Sequence, residues 1–428
     1  MKVLWLSSSN TLFNEKGDRA YNGKGWIASL QDAVAEYGKD ITLGVAFLSS
    51  EDSDAIVRDG ITYFRIRKRQ FSGFRKLYRN WTGGNTENYD DRIGEIVKEF
   101  SPDIVHIFGC ESKLASAVAS ITGRPVIIHI QGILNETVPY FYPPGFSGSD
   151  MIVPQTFVNE VILRNGFIHL YEDFRTRAEN EKKYLSVTRS AMGRTEWDRN
   201  IREKYSRAEY FRVNETLRKP FYRNAGQWKY RPGKHRTVLL STISEVPYKG
   251  LDLVLRTADI LRQRGTDFEW RVAGIRNDSG IVKIFEKKTG IKAEDCGIVF
   301  MGIVSEDDIV REMLSSDIYV HPSYIENSSN SVCEAQMLGM PVIAAGTGGI
   351  PSLVSHGYDG ILIPPGKAEA LADWIDSTSC SGTRMEQLGK AAAETASRRH
   401  DRRKIVEDLT GAYRKSIESF IDNNNFNN

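Results

Sequence analysis

The run Asp317-Ile318-Tyr319-Val320-His321, then Pro322-Ser323-Tyr324-Ile325-Glu326-Asn327-Ser328-Ser329-Asn330-Ser331-Val332-Cys333-Glu334 and, past Gly339-Met340, Pro341-Val342-Ile343-Ala344-Ala345, decides how this chain folds. Its two ends are short runs apolar on both faces, the pattern of parallel strands covered by helices. Between them Val332, Ala335 and Leu338 fall at helical spacing. Strand, loop, helix and strand in that order make a βαβ unit.

The same alternation continues outward. Residues 3–7, 41–47, 61–66, 104–108 and 126–130 read as strands in the first half, and 237–243, 269–274, 297–301 and 360–363 in the second. Trp26, Ile27, Leu30, Ala33 and Val34 share a helix face, as do Ile93, Ile96, Val97 and Phe100, and later Leu251, Val254, Leu255, Ala258 and Leu261. Strand–helix alternation on this scale predicts an α/β chain with doubly wound parallel sheets. The rhythm lapses between about Arg189 and Arg236, a stretch with 14 Lys or Arg against 5 acidic residues. A boundary placed there gives two Rossmann-like domains, 1–225 and 226–410, facing each other across a cleft. A last helix carries Val406, Leu409, Tyr413, Ile417 and Phe420 on one face, and its end with the tail, 411–428, forms a third piece expected to pack back on the N-terminal domain. Its Asn-rich end, 422–428, is expected to fray.

A length of 428 residues suits two or three domains, and 40% hydrophobic with 26% charged residues excludes a disordered or coiled-coil chain. The net charge of +2 is too balanced to argue for nucleic acid, and none is expected as a partner. Cys110, Cys296, Cys333 and Cys380 share no metal or redox spacing, so they read as reduced and mostly buried, which suits the cytosol. The opening Met1-Lys2-Val3-Leu4-Trp5-Leu6-Ser7 has too short an apolar run for a signal peptide, and no stretch approaches the ~20 apolar residues of a membrane span.

Open parallel sheets bind ligands at the carboxyl ends of their strands. The polar segment 326–331 lies there, at a helix start whose free N–H groups and dipole attract an anion such as a diphosphate. Glu326 on the loop and Glu334 one turn into the helix need polar partners, and sugar hydroxyls are suitable ones. Ser331 and Glu334 also fit a capping box, which would use Glu334 within its own helix. Gly346-Thr347-Gly348-Gly349 suits either a ligand approach or a plain turn.

Ser323 to Glu334, with Ala335, Gly339-Met340-Pro341-Val342 and Gly348-Gly349, resembles the donor-site signature of glycosyltransferase family 4, the retaining enzymes of the GT-B fold. Pro102-Asp103-Ile104-Val105-His106, Lys249-Gly250-Leu251-Asp252 and Phe300-Met301-Gly302 follow in the family's order, and Gly193-Arg194-Thr195-Glu196-Trp197-Asp198 looks like the variant of bacterial surface-polysaccharide enzymes. The resemblance implies an acceptor-side N-terminal domain, a nucleotide-sugar-binding C-terminal domain, a UDP- or GDP-sugar donor and a saccharide or lipid-linked acceptor. It implies that Glu326 contacts the transferred sugar, Glu334 the ribose, and backbone amides from Asn327 through Ser328, Ser329, Asn330 and Ser331 to Val332 the sugar and phosphate. Lys249 neutralises the leaving diphosphate. Catalysis is then by orientation and electrostatics, with no metal or cofactor.

Two family features are missing. No arginine precedes Lys249, so Lys24, in the loop Asn22-Gly23-Lys24-Gly25, is the candidate second cation; its alternative is a solvent-facing turn. Gln131 stands where many relatives have histidine. His129, His106 and Glu111 are the remaining acceptor-side candidates, a core role being the alternative for the histidines. Residues 64–81 hold seven basic and no acidic side chains among Phe71, Phe74, Leu77, Tyr78 and Trp81, suiting an anionic membrane surface and a place at its inner face; a solvated loop or an RNA contact is the alternative. A sugar-nucleotide epimerase and a non-catalytic nucleotide-sugar binder are the competing functions.

Overall fold

The computed structural model describes residues 1–13, 25–69, 71–82, 88–232, 236–379 and 381–425. Two sheets organise it. The first contains β1 (Lys2–Ser7), β2 (Thr42–Ser49), β3 (Ile56–Arg58), β4 (Ile61–Arg67), β5 (Ile104–Phe108), β6 (Val126–His129), β7 (Ser190–Gly193) and β8 (Glu209–Arg212), in the order β3-β4-β2-β1-β5-β6-β7-β8. The second contains β9 (Thr237–Thr242), β10 (Phe268–Ala273), β11 (Ile298–Gly302), β12 (Ile318–His321), β13 (Val342–Ala345) and β14 (Ile361–Ile363), in the order β11-β10-β9-β12-β13-β14. All pairings are parallel except β3 with β4, a hairpin closed at Asp59-Gly60, both with positive φ.

The strand order reverses between β1 and β5 in one sheet and between β9 and β12 in the other. Crevices open where neighbouring connections leave in opposite directions. The loops after β9 and β12 therefore lie side by side, which puts Lys249 next to Glu326.

β7 and β8 fall inside the stretch where the periodicity lapses. The first is Ser190-Ala191-Met192-Gly193, too short and small to alternate, and the second is a half-exposed edge strand. Tertiary pairing decides both, β7 against β6 and β8 against β7. The final helix also begins earlier than expected, at Arg402, where Asp401 Oδ1 accepts the Lys404 N–H at 2.8 Å, and it continues through Asn425 rather than fraying from 422. Tyr413 on this helix accepts the Trp5 indole N–H at 2.9 Å, and Ile405, Val406, Leu409 and Ala412 complete one face of the first sheet's core.

A second crossing was not visible in the sequence. Phe146, Met151 and Val153 leave the first domain and join the core of the second, with Phe146 against Phe285 at a centroid distance of 4.8 Å and Lys288 paired with Asp150 at 2.8 Å. Cys110, Cys296 and Cys333 are free and buried; Cys380 lies outside the described residues.

Candidate functional site

A cavity of about 350 Å³ lies between the two sheets' carboxyl edges. From the second domain it is lined by Lys249, His321, Glu326, Ser328, Ser329, Asn330, Ser331 and Glu334, and from the first by Gly25, Trp26, Thr216, Leu217 and Arg218.

Lys249 is positioned by the turn that follows β9. Gly250 sits at φ +80°, and a Cβ there would come 2.2 Å from the Pro322 carbonyl oxygen, so only glycine allows the loops after β9 and β12 to touch. The Tyr324 N–H donates to the Tyr248 carbonyl at 2.9 Å, and the Tyr324 hydroxyl donates to Asp252 at 2.7 Å. Lys249 Nζ then donates to Glu326 Oε2. Burial raises the Glu326 carboxyl, but Lys249 outweighs it and holds the group below its ordinary value; burial lowers Lys249, and Glu326 outweighs that and raises it. Both remain charged. His321 Nε2 is 3.7 Å from the same Glu326 oxygen, yet burial pushes its pKa down to about 4, so it is neutral at pH 7.

The helix Asn330–Leu338 points its N-terminus at the cavity. Its first N–H groups have no partner within the helix, which together with the dipole suits an anion. Glu334 does not cap this helix. Its carboxylate instead accepts two parallel bonds from Arg218, Nε to Oε1 and Nη2 to Oε2, each 2.7 Å. Burial raises the Glu334 carboxyl and Arg218 draws it back only in part.

Arg218 went unnoticed in the sequence because its partner is 116 positions away; the only hint was the basic content of the stretch around it. Asn327 and Val332 do not line the cavity. The Asn327 side chain is turned onto the first domain, and Val332 packs into the core with no exposed surface. Gly23 and Lys24 lie outside the described residues, while Gly25 lines the cavity at φ +74°.

The acceptor-side candidates divide. His106 is fully buried in β5, its Nδ1 2.6 Å from the Tyr413 hydroxyl, and burial lowers its pKa to about 3. His129 is also fully buried, stacked on His106 at 5.5 Å and under Trp26 at 5.0 Å, and burial lowers it well below its ordinary value. Both rings face the core of the first domain, so the core alternative describes them. Glu111 is partly exposed after β5, its carboxyl raised by burial, and a Cβ on Gly109 or Gly132 would come within 3.0 Å of it. Gln131 contributes its carbonyl, which accepts the Asn327 amide at 2.7 Å. The Gly348-Gly349 turn approaches protein rather than an open ligand site: the Gly349 N–H donates to the Glu326 carbonyl at 2.9 Å, and a Cβ on Gly348 would come 2.0 Å from that carbonyl.

Among the described residues two groups bring potential metal ligands within 4.8 Å of one another, Glu215 with Cys333 and His400, and Cys110 with Glu111 and Glu181. Burial holds both thiols well above their ordinary value, and neither group lines the cavity.

Residues 234–378 match the family model described as "Glycosyl transferases group 1". That match lies within the C-terminal half and covers about a third of the chain. The amylovoran biosynthesis glycosyltransferase AmsK of Erwinia amylovora is 30% identical over 154 residues, 34% of this chain and 36% of the relative. The chain thus spans about a third of the length of that curated relative. Among solved structures, sucrose-phosphate synthase from Thermosynechococcus elongatus superposes with a TM-score of 0.71 at 14% identity, covering 98% of this chain and 99% of that one. Anabaena Alr3699/HepE in complex with UDP and glucose gives 0.60 at 17% identity over 96% and 98%. The fold is therefore the GT-B arrangement of two Rossmann-like domains. No helix among the described residues is long and apolar enough to cross a membrane.

Proposed function

We propose that the chain transfers a hexose from a nucleotide-diphosphate donor, a UDP- or GDP-sugar, to a saccharide or lipid-linked acceptor in cell-surface polysaccharide biosynthesis. One observation carries this reading: the Lys249–Glu326 and Arg218–Glu334 pairs converge on a single interdomain cavity in front of an anion-attracting helix tip. Glu326 and Lys249 are its catalytic residues. Lys249 and the amides at 329–331 take up charge as the diphosphate leaves, Glu326 orients the sugar hydroxyls, and Glu334 accepts the ribose hydroxyls on lone pairs that Arg218 leaves free. Arg218 also supplies a second cation where the arginine before Lys249 is missing. A front-face reaction, in which the leaving phosphate oxygen takes the acceptor's proton, retains anomeric configuration and asks for neither a metal nor an added base.

The names of relatives support the donor and the pathway: one is an amylovoran biosynthesis enzyme, and another structure holds UDP and glucose. The matched family and these relatives are glycosyltransferases, so an epimerase is not favoured. Glu111 and Gln131 are the acceptor-side residues of this reading.

Docking of residues 64–81 on an anionic membrane, at the inner face of the cytoplasmic membrane, completes it. The helix Gly73–Thr82 buries none of its residues and leaves Phe74 79% exposed. It is joined by Trp81 Nε1 to the Ile162 carbonyl, 2.9 Å, beside exposed Phe157, Val158 and Ile162. Arg75, Lys76 and Arg79 supply positive charge beside these rings.

Acceptor-dependent release of UDP or GDP from a panel of their sugars tests the assignment. Release without transfer to any saccharide or lipid-linked acceptor, or no donor binding at all, contradicts it.

A further inference from the structure

The motif Gly193-Arg194-Thr195-Glu196-Trp197-Asp198 has no part in the chemistry above, yet it meets the segment following Glu326 directly. Asn327 is the point of contact. Its Nδ2 donates to Asp198 Oδ1 at 2.6 Å and to the Gln131 carbonyl at 2.7 Å, and its Oδ1 accepts the Thr195 hydroxyl at 3.1 Å. Every polar atom of this buried amide is therefore engaged by the opposite domain. Asp198 is itself held rigidly: its Oδ2 accepts the N–H groups of Arg194 and Thr195 at 2.6 and 3.0 Å, closing a capping box at the start of the helix Glu196–Tyr205.

The next residue is anchored in the same way. Ser328 Oγ donates to Glu215 Oε1 at 2.8 Å, and Arg194 Nε lies 3.6 Å from Glu215 Oε2. On the other side Gly349 donates to the Glu326 carbonyl, and a Cβ on Gly349 would come 2.8 Å from Thr195. Glu326 thus stands on a backbone fixed by its own domain on one flank and by the facing domain on the other.

We infer that Arg194, Thr195 and Asp198 are positioning residues that clamp Asn327 and Ser328, so that the N-terminal domain sets where the sugar-orienting carboxylate of the C-terminal domain stands. A carboxylate on a loop must be held within a fraction of an ångström to favour one transition state, and a clamp built from the acceptor-side domain ties that placement to the domain that receives the sugar. The inference rests on the proposed transfer reaction for its kinetic consequence, though not for its structural one.

The test uses the full chain with Asn327→Ala and the milder Thr195→Val, Thr195→Ser as the conservative rescue, and Glu196→Gln as a control whose side chain faces Arg199 and Arg212 on the surface. Hydrogen–deuterium exchange of the peptide covering 325–333 reads the clamp without any substrate. Exchange at least tenfold faster in Asn327→Ala and Thr195→Val, with Thr195→Ser and Glu196→Gln like the parent, is expected. Calorimetric titration with UDP and GDP, and turnover of the UDP- or GDP-sugar that the parent uses, read the consequence: nucleotide affinity within threefold of the parent and kcat at least tenfold lower. Unchanged exchange in both variants overturns the clamp, and so does a parent-like kcat in Asn327→Ala. A parent chain that turns over no nucleotide sugar overturns the transferase reading instead and leaves the exchange result to decide the clamp.

Discussion

Arg218 and Glu334 meet as a planar fork, two bonds of 2.7 Å each, although one belongs to the segment leaving the first domain and the other to a helix of the second. The Glu334 side chain is only 4% exposed, so removing its partner strands a charge. Arg218→Ala is expected to cost about 3–5 kcal/mol of stability at neutral pH, the range for breaking a buried pair. The sign of the pH effect follows from Glu334. An acid raised in the folded state binds protons more tightly there than when unfolded, so its burden on stability appears as pH rises through the acid range. The deficit of Arg218→Ala relative to the parent is therefore expected to shrink toward pH 4, as read by urea unfolding at pH 4, 5.5 and 7. Arg218→Met combined with Glu334→Gln is expected to recover most of the loss.

Lys249 and Glu326 differ from that pair in direction, since here the cation wins and the carboxyl stays low. In Lys249→Met the Glu326 carboxyl is expected to rise above its ordinary value, because only burial then acts on it. Carbon-detected NMR of labelled glutamate reads the shift. Turnover in Glu326→Gln is expected to fall by about 10²–10³-fold, the scale for losing one preorganised electrostatic contact, with UDP or GDP affinity changed only a few-fold.

His106, His129, His321 and His400 are all pushed below the ordinary histidine value by burial, to about 3 for His106 and about 4 for His321. Below about pH 6.5 the unfolded chain takes up protons at these positions that the folded chain refuses. Stability is therefore present above that pH and lost as pH falls, by up to roughly 1.4 kcal/mol per pH unit for each histidine. His106→Gln is expected to reduce the slope between pH 6.5 and 5 by about one histidine's share, measured by chemical unfolding across that range.

Gly349 has an ordinary negative φ, so backbone strain does not reserve the position for glycine. Space does: a methyl group there would lie 2.6 Å from the Asn327 carbonyl oxygen. Gly349→Ala is expected to cost about 1–3 kcal/mol as an overpacking change. Faster exchange of the 325–333 amides is expected to accompany it, whereas Gly94→Ala, inside the helix Asp90–Phe100 with nothing within 4 Å, is expected to stabilise by about 0.5–1 kcal/mol and leave that exchange unchanged.

For the membrane surface, Trp81→Ala and the pair Arg75→Glu with Lys76→Glu are expected to abolish co-flotation with vesicles containing anionic lipid. Neutral vesicles are expected to bind neither the parent nor the variants. Binding that ignores lipid charge sinks the docking proposal.

The βαβ unit around Glu326 was legible because β12 and β13 are apolar on both faces and the polar run between them is local in sequence. β7 and β8 were not, since four small or edge-facing residues carry too little periodicity, and pairing with a neighbour makes them strands. The partners of Arg218 and Thr195 were hidden for a different reason. Each residue acts on a partner more than a hundred positions away, across a boundary that composition marks only as basic. Asn327 was read for its backbone amide, while its side chain turned out to carry the interdomain contacts. For the two strand histidines the core alternative set beside the functional one prevails: imidazole chemistry suggests a site, but a ring at an inward position of a central strand is more simply a core aromatic.

A crystal of the chain soaked with UDP-glucose, and in parallel GDP-mannose, tests the central claim most directly. The account requires the diphosphate at the N-terminus of the helix Asn330–Leu338 within hydrogen-bond reach of Lys249, the ribose on Glu334, and the hexose beside Glu326. Nucleotide density elsewhere on the chain, or none in the interdomain cavity with either donor, would contradict it.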